Sequence, residues 1–319
     1  MNFSGKVLLF VSVLLIGAVS GARADVRPGQ EDLIPLENVL REEVECLCSS
    51  VNKGRGFGQT EKNYCTSYIE NRFRKAGLKP LGEGFVHSFV CRDVPGRNIV
   101  GIREGKRQDR YVLVTTYYDG LGELAGKTYP GADSNASGVA ALLYLVDSLT
   151  NSDVSVIFVC FDAHNISMEG SQAFWRELES GKLTAPSGKP IRQSQVKLMS
   201  NMDIIGSTLA PVHPKWPNFV IAMAPQDEFY NIRLSNSKHL LGLRVEPDYY
   251  GSKKFTNVFY RKVGDQKVFL AHGIPCVVWT SGITFFTNKP EDLPMTLDYP
   301  IFAKRVFLIR CWLEEWVLG

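Results

Sequence analysis

Four segments of the 319-residue chain end an apolar run and enter a polar loop. They are Thr116-Tyr117-Tyr118-Asp119, Phe161-Asp162-Ala163-His164-Asn165, Asn201-Met202-Asp203, and the turn Gly264-Asp265-Gln266 ahead of Gly273-Ile274-Pro275. A fifth, Gly131-Ala132-Asp133-Ser134-Asn135-Ala136-Ser137-Gly138, opens a stretch of helical periodicity. Carboxylates and imidazoles are the side chains that move protons or hold metal ions. Ser134, His164 and Asp203 are also the residue types of a hydrolase triad. Nothing around Ser134 resembles a nucleophile elbow, which argues against acyl transfer through that serine. Asp203 by itself is a single carboxylate, better suited to a polar pocket than to holding a metal. The chain has no Cys-x-x-Cys pair, which argues against a cysteine zinc site.

The elements that must position these segments are readable from periodicity. Leu33, Leu36, Val39, Leu40, Val44 and Leu47 recur every three to four residues and predict one amphipathic helix, broken at Gly54 to Gly58. A second helix is predicted from Glu61 to about Ala76, closed by Gly77. Phe85–Val90, Asn98–Ile102 and Tyr111–Tyr117 read as strands with Gly and Pro between them. Strand and helix then alternate. Helix is predicted at Ala136–Leu149, Met168–Leu178, near Tyr230–Leu241 and at Phe302–Leu318; strand at Val154–Phe161, Val196–Met202, Phe219–Met223, Leu243–Val245 and Cys276–Trp279. Val154–Phe161 is continuously apolar, as a strand buried on both faces should be. The alternation predicts a mostly parallel sheet covered by helices, in one domain. Sheets of this kind bind ligands at the carboxyl ends of their strands, where the polar segments fall.

The chain is 45% hydrophobic and 22% charged, an ordinary globular composition, too apolar for disorder. A net charge of +3, with no Lys/Arg run, excludes a nucleic-acid-binding patch. Lys6, the apolar run Val7–Val19 and Ala22-Arg23-Ala24 read as a signal peptide cut after Ala24. The run is too short for a stable membrane span. Removing residues 1–24 takes away Lys6 and Arg23 and lowers the net charge from +3 to +1. The mature chain, 25–319, is therefore expected outside the cytoplasm, periplasmic or secreted. Of seven cysteines, Cys160 and Cys276 lie in apolar runs and read as buried. Cys46, Cys48, Cys65 and Cys91 could pair in three ways.

The five polar segments, in this order, resemble the co-catalytic zinc aminopeptidases of peptidase family M28, which also includes glutamate carboxypeptidases and glutaminyl cyclases. The likeness covers roughly Leu33 to Leu318, including Gly96-Arg97-Asn98-Ile99-Val100-Gly101 and Gly170-Ser171. Its most specific match is Gly131–Gly138. The resemblance implies an α/β fold, a three-layer α/β/α sandwich around a mixed, mainly parallel twisted sheet of about eight strands. It also implies two zinc ions sharing a bridging aspartate and a water of lowered pKa. Two histidines and two carboxylates complete the family's metal shells, and a separate glutamate is the general base.

Carried onto this chain, the first histidine falls on Tyr117, with Asp119 keeping the orienting carboxylate. The bridging aspartate falls on Ser134, after Asp133. The Glu-Glu pair of base and ligand falls on His164 and Asn165. The next aspartate ligand is kept as Asp203, and the last histidine falls on Gln266 beside Asp265. Only Asp203 survives among the ligand and base positions, and His87, His213, His239 and His272 match none of them. A phenol, a hydroxyl and two carboxamides are poor zinc ligands and supply no anionic bridge. The expectation is a pseudo-peptidase that needs no cofactor and binds a peptide or protein partner in the cleft. Asp119 and Asp265 would persist as strand-end carboxylates, His164 as a hydrogen-bonded cleft histidine. Tyr117, Tyr118, Tyr129 and Trp279 would offer an aromatic surface. The alternative is an active exopeptidase with a non-standard zinc site.

Overall fold

The computed structural model of the chain describes residues 33–318; the signal segment expected at 1–24 lies outside the described residues. Helices α1 (Leu33–Leu47) and α2 (Lys62–Lys75) come first. Strands β1 (Val86–Cys91), β2 (Val94–Arg103) and β3 (Arg107–Tyr117) follow, then a small hairpin of β4 (Gly122–Leu124) and β5 (Lys127–Tyr129). Next are α3 (Ser137–Ser148), β6 (Val154–Phe161), α4 (Glu169–Glu179), β7 (Val196–Met202) and β8 (Phe219–Met223). The chain continues through α5 (Gln226–Lys238), β9 (Arg244–Glu246), α6 (Lys253–Lys262), α7 (Gln266–Ala271), β10 (Cys276–Thr280) and α8 (Tyr299–Leu318).

Eight strands form one sheet in the order β1-β2-β6-β3-β7-β10-β8-β9. The four at its centre, β6, β3, β7 and β10, run parallel; β2 and β8 flank them antiparallel. Every residue of β6 is buried, because helices cover both faces. Along β3 and β6 the side chains alternate between two cores. Val112, Val114, Val156 and Phe158 pack with residues of α1, α3 and α8, whereas Leu113, Ile157 and Val159 pack with residues of α4 and α7. This is the three-layer sandwich. No helix among the described residues is long and apolar enough to cross a membrane.

The structure departs from the sequence reading in identifiable places. Strand β2 starts four residues early and runs through Pro95 and Gly96, paired with β1 across a two-residue turn. The turn residues Arg92 and Asp93 have φ of 50° and 62°, the left-handed geometry a tight hairpin needs. Gly96 lies under the Phe89 ring, where a Cβ would come within 2.2 Å of Cζ. Helix α5 begins at Gln226 rather than Tyr230, and α6 and α7 are too short for periodicity to separate them from loop. Trp279 and Tyr118 do not belong to an aromatic surface. Trp279 is buried against Trp312, with ring centroids 5.4 Å apart, and its N–H donates to Ser200 Oγ at 3.0 Å. Tyr118 is buried and donates to the Arg97 carbonyl at 2.9 Å. Cys160 and Cys276 are buried, and all seven thiols are free.

Candidate functional site

Parallel pairing brings three strand ends level. Tyr117 at the end of β3 is opposite Phe161 at the end of β6, and Thr116 is opposite Met202 at the end of β7. The chain past those ends therefore delivers Asp119, His164 and Asp203 to one edge of the sheet. The turn after β6 is shaped by Ala163, whose φ is 53°. It is pinned from behind by Gly170, where a Cβ would come within 2.1 Å of the Asp162 carbonyl. Asn98 ties both sides of that contact, donating to Gly170 O at 2.8 Å and accepting from Asp162 N at 3.0 Å.

His164 is the centre of the cluster. Its ring stacks on Tyr117 with centroids 3.6 Å apart and planes 7° from parallel. Its Nδ1 donates to Asp265 Oδ2 at 2.8 Å, and its backbone N–H donates to Asp119 Oδ1 at 2.9 Å. The Tyr117 hydroxyl faces both Asp203 and Ser134. Burial alone would lower the His164 pKa. The charge and hydrogen bond of Asp265 outweigh it, with Asp203 and Asp119 adding, so the group is pushed up to about 9. At neutral pH His164 is an imidazolium. Burial, reinforced by neighbouring Asp162, lifts Asp119 to about 6 against the pull of His164. Burial also raises Asp203, again opposed by His164.

The loop before α3 is held from several directions. The N–H groups of Asp133 and Ser134 donate to Asp292 Oδ1 and Oδ2 at 2.8 and 3.1 Å. Asp133 itself turns inward, its Oδ1 accepting from Gly206 N at 2.8 Å and Ser137 Oγ at 3.3 Å. Burial beside Asp292 pushes Asp133 up to about 7. Asn135 Nδ2 donates to Thr116 Oγ1 at 2.8 Å, and its Oδ1 accepts from Gly138 N and Ile204 N at 3.1 Å. Ser134 is left half-buried, its Oγ 3.5 Å from Asn288 Oδ1.

The structure thus brings together Tyr117, Asp119, Ser134, His164, Asp203 and Asp265. Asn165 sits exposed at the rim, its Nδ2 donating to Asp119 Oδ2 at 3.3 Å. Asp133 and Gln266 stand behind the cleft as braces. Gln266 is buried, its amide nitrogen donating to the Val263 carbonyl at 2.5 Å and its Oε1 accepting from Asn201 Nδ2 at 3.2 Å. The acid hydrogen-bonded to His164 is Asp265, not Asp203, so the triad Ser134–His164–Asp203 is not assembled as such. What the site offers is a protonated imidazole set among carboxylates. Among the described residues, no group of three or more His, Cys, Asp or Glu is arranged to hold a metal ion.

Three contributors were invisible in the sequence. Arg55 is fully buried and donates to the carbonyls of Leu47, Tyr118, Pro130 and Gly131 at 2.7–3.1 Å, tying α1 to both site loops. Lys62 forms a buried ion pair with Asp162, beside the His164 turn. Asp292 holds the Ser134 loop. Their partners lie 63 to 159 residues away along the chain except for Leu47, and no local pattern marks them.

The profile of Peptidase family M28 matches residues 98–299, well over half of the chain. Among solved structures, a glutaminyl cyclase of Fimbriiglobus ruber superposes with a TM-score of 0.69 at 16% identity, over 87% of this chain and 94% of that one. BSAP, a zinc aminopeptidase of Bacillus subtilis, superposes with a TM-score of 0.65 at 12% identity, over 89% of this chain and 95% of that one. A glutaminyl cyclase of Porphyromonas gingivalis gives a TM-score of 0.62 at 16% identity, over 88% of this chain and 98% of that one. No curated protein matches the chain significantly. At these identities the superpositions speak to the fold, and the profile match speaks to descent: the chain belongs to peptidase family M28.

Proposed function

We propose that this protein is an exported, catalytically inactive member of its family that binds a peptide or protein partner in the cleft above β3, β6 and β7. The observation that carries the reading is the His164 ring, stacked on Tyr117 and hydrogen-bonded to Asp265. The donor set does not fit two zinc ions. Tyr117 offers a phenol raised well above its ordinary pKa by burial, so it is neutral where a metal would need an imidazole or an anion. Ser134 supplies no anionic bridge, and the Gln266 carboxamide is spent on the backbone behind the cleft. His164, as an imidazolium, has no lone pair to give. It offsets the charge of Asp119, Asp203 and Asp265, the work a divalent cation would otherwise do. The same protonation keeps His164, which stands at the general-base position, from accepting a proton at neutral pH.

Binding is supported by exposed apolar side chains on a segment that touches the site. Ile283 and Phe285 stand 41% and 77% exposed on the segment that also carries Asn288, the contact of Ser134. Export rests on the charged, apolar and small-residue pattern of residues 1–24. The test uses chain 25–319 with aminoacyl-p-nitroanilides in the presence of zinc, and in parallel a displayed peptide library. The expected result is no hydrolysis above buffer and a recurring peptide motif whose binding Ser134→Trp abolishes. Zinc-dependent turnover would overturn the inactive reading; a library without enrichment would overturn the binding one.

A further inference from the structure

Away from the cleft, on the outer side of α4, α6 and α7, lies a wide-mouthed cavity of about 560 Å3. Its size is that of a small-molecule site. Four cationic side chains converge on it from three helices: Arg176, Arg261, Lys262 and Lys267. Glu169 pairs with Arg176 at 3.3 Å, and among the described residues no carboxylate pairs with the other three. Buried Trp175 and exposed His272 also line the cavity, their rings stacked with centroids 4.1 Å apart. The indole N–H of Trp175 is buried without an acceptor. The cavity wall is thus rich in positive charge and has one carboxylate beside it.

We infer that this cavity binds a small organic polyanion, a ring-sized molecule carrying two or more phosphate or sulfate groups. Helix ends account for part of the charge, because cations in the last turns of α4 and α6 complement the carbonyl ends of those helices. That explanation does not reach Lys267, which stands in the first turn of α7, nor the convergence of all four on one hollow. The mature chain carries a net charge of only +1, so a general attraction for polyanions is not expected of the molecule as a whole. A guanidinium holds a phosphate or sulfate through paired N–H groups, and the lysines add point charges. The site is independent of the cleft and of the function proposed for it.

The test is calorimetric titration of chain 25–319 with glucose 1,6-bisphosphate and with a trisulfated disaccharide. At least one probe should bind with a Kd of about 100 µM or tighter at about 50 mM NaCl. Lys262→Glu/Lys267→Glu should weaken it about tenfold or more, while the remote control Lys75→Glu/Lys127→Glu and the cleft variant His164→Gln should leave it unchanged. These lysines are on the surface, and a circular dichroism spectrum checks that the variants fold. Binding of one probe alone would identify the anion source. Failure of both probes to bind, or equal weakening by the remote pair, would overturn the proposal.

Discussion

His164 lies between Asp265, which accepts a hydrogen bond from its Nδ1, and Asp119, which accepts one from its backbone N–H, with Tyr117 flat against its face. Raising its pKa from 6.5 to about 9 links its charge to folding. The folded value exceeds the unfolded one, so the stabilisation is complete below about pH 6.5 and is lost as pH rises through about 9. Asp119, Asp133 and Asp292 are also raised, to about 6, 7 and 6, and their losses fall mainly at lower pH. The buried thiols, raised above 9, lose stability only at higher pH, so urea unfolding at pH 6.5 and 8 should differ by on the order of 2 kcal/mol, with the protein weaker at pH 8. In His164→Gln that difference should shrink, the part due to Asp133 remaining; a slope of equal size in the variant would remove His164 from the account. The segments that supply Asp119 and His164 were legible because each follows an apolar strand; Asp265, expected at a strand end, stands instead between α6 and α7, after the charged Arg261-Lys262. The pairing of His164 with Asp265 was not, since 101 residues separate the two and sequence spacing is silent on which of several acids a histidine meets.

Elements with a strong period were read nearly to the residue. β6 was found as Val154–Phe161, because burial on both faces leaves a nearly continuous apolar run, and β7 as Val196–Met202 from Val196, Leu198, Met199 and Met202 around an exposed Lys197. α1 was placed by Leu33, Leu36, Leu40, Val44 and Leu47, all buried, while Val39 in the same pattern is 37% exposed. What failed was whatever a distant neighbour decides. The β1–β2 turn uses Arg92 and Asp93 at positive φ, without the Asn-Gly or Asp-Gly pair that announces such a turn. The site loops depend likewise on Arg55, whose guanidinium gathers four backbone carbonyls from three places in the chain. Arg55→Leu should cost about 3 kcal/mol or more, because it strands those carbonyls in a buried setting. Chemical denaturation measures it; a loss under about 1 kcal/mol would mean the loops are held by other contacts.

Across the described residues, the two larger cores share the strands of one sheet, with α1, α3 and α8 on one side and α4 and α7 on the other, and a small third cluster packs Tyr249 on β8 and β10. A core divided only by a sheet should unfold as one unit, so residues 25–319 are expected to behave as a single domain. Tryptophan fluorescence and far-ultraviolet circular dichroism should give superimposable urea transitions; separated midpoints would split the domain. The fold is that of the family, and on the proposed reading the side chains that would bind metal are exchanged, which is why family and activity have to be argued separately. The central claim is that this cleft balances its carboxylates with an imidazolium rather than with zinc. Its most direct test is the metal content of chain 25–319 after incubation with excess zinc and desalting, read by mass spectrometry. The account predicts near-zero zinc per chain; two zinc ions per chain retained through desalting would contradict it.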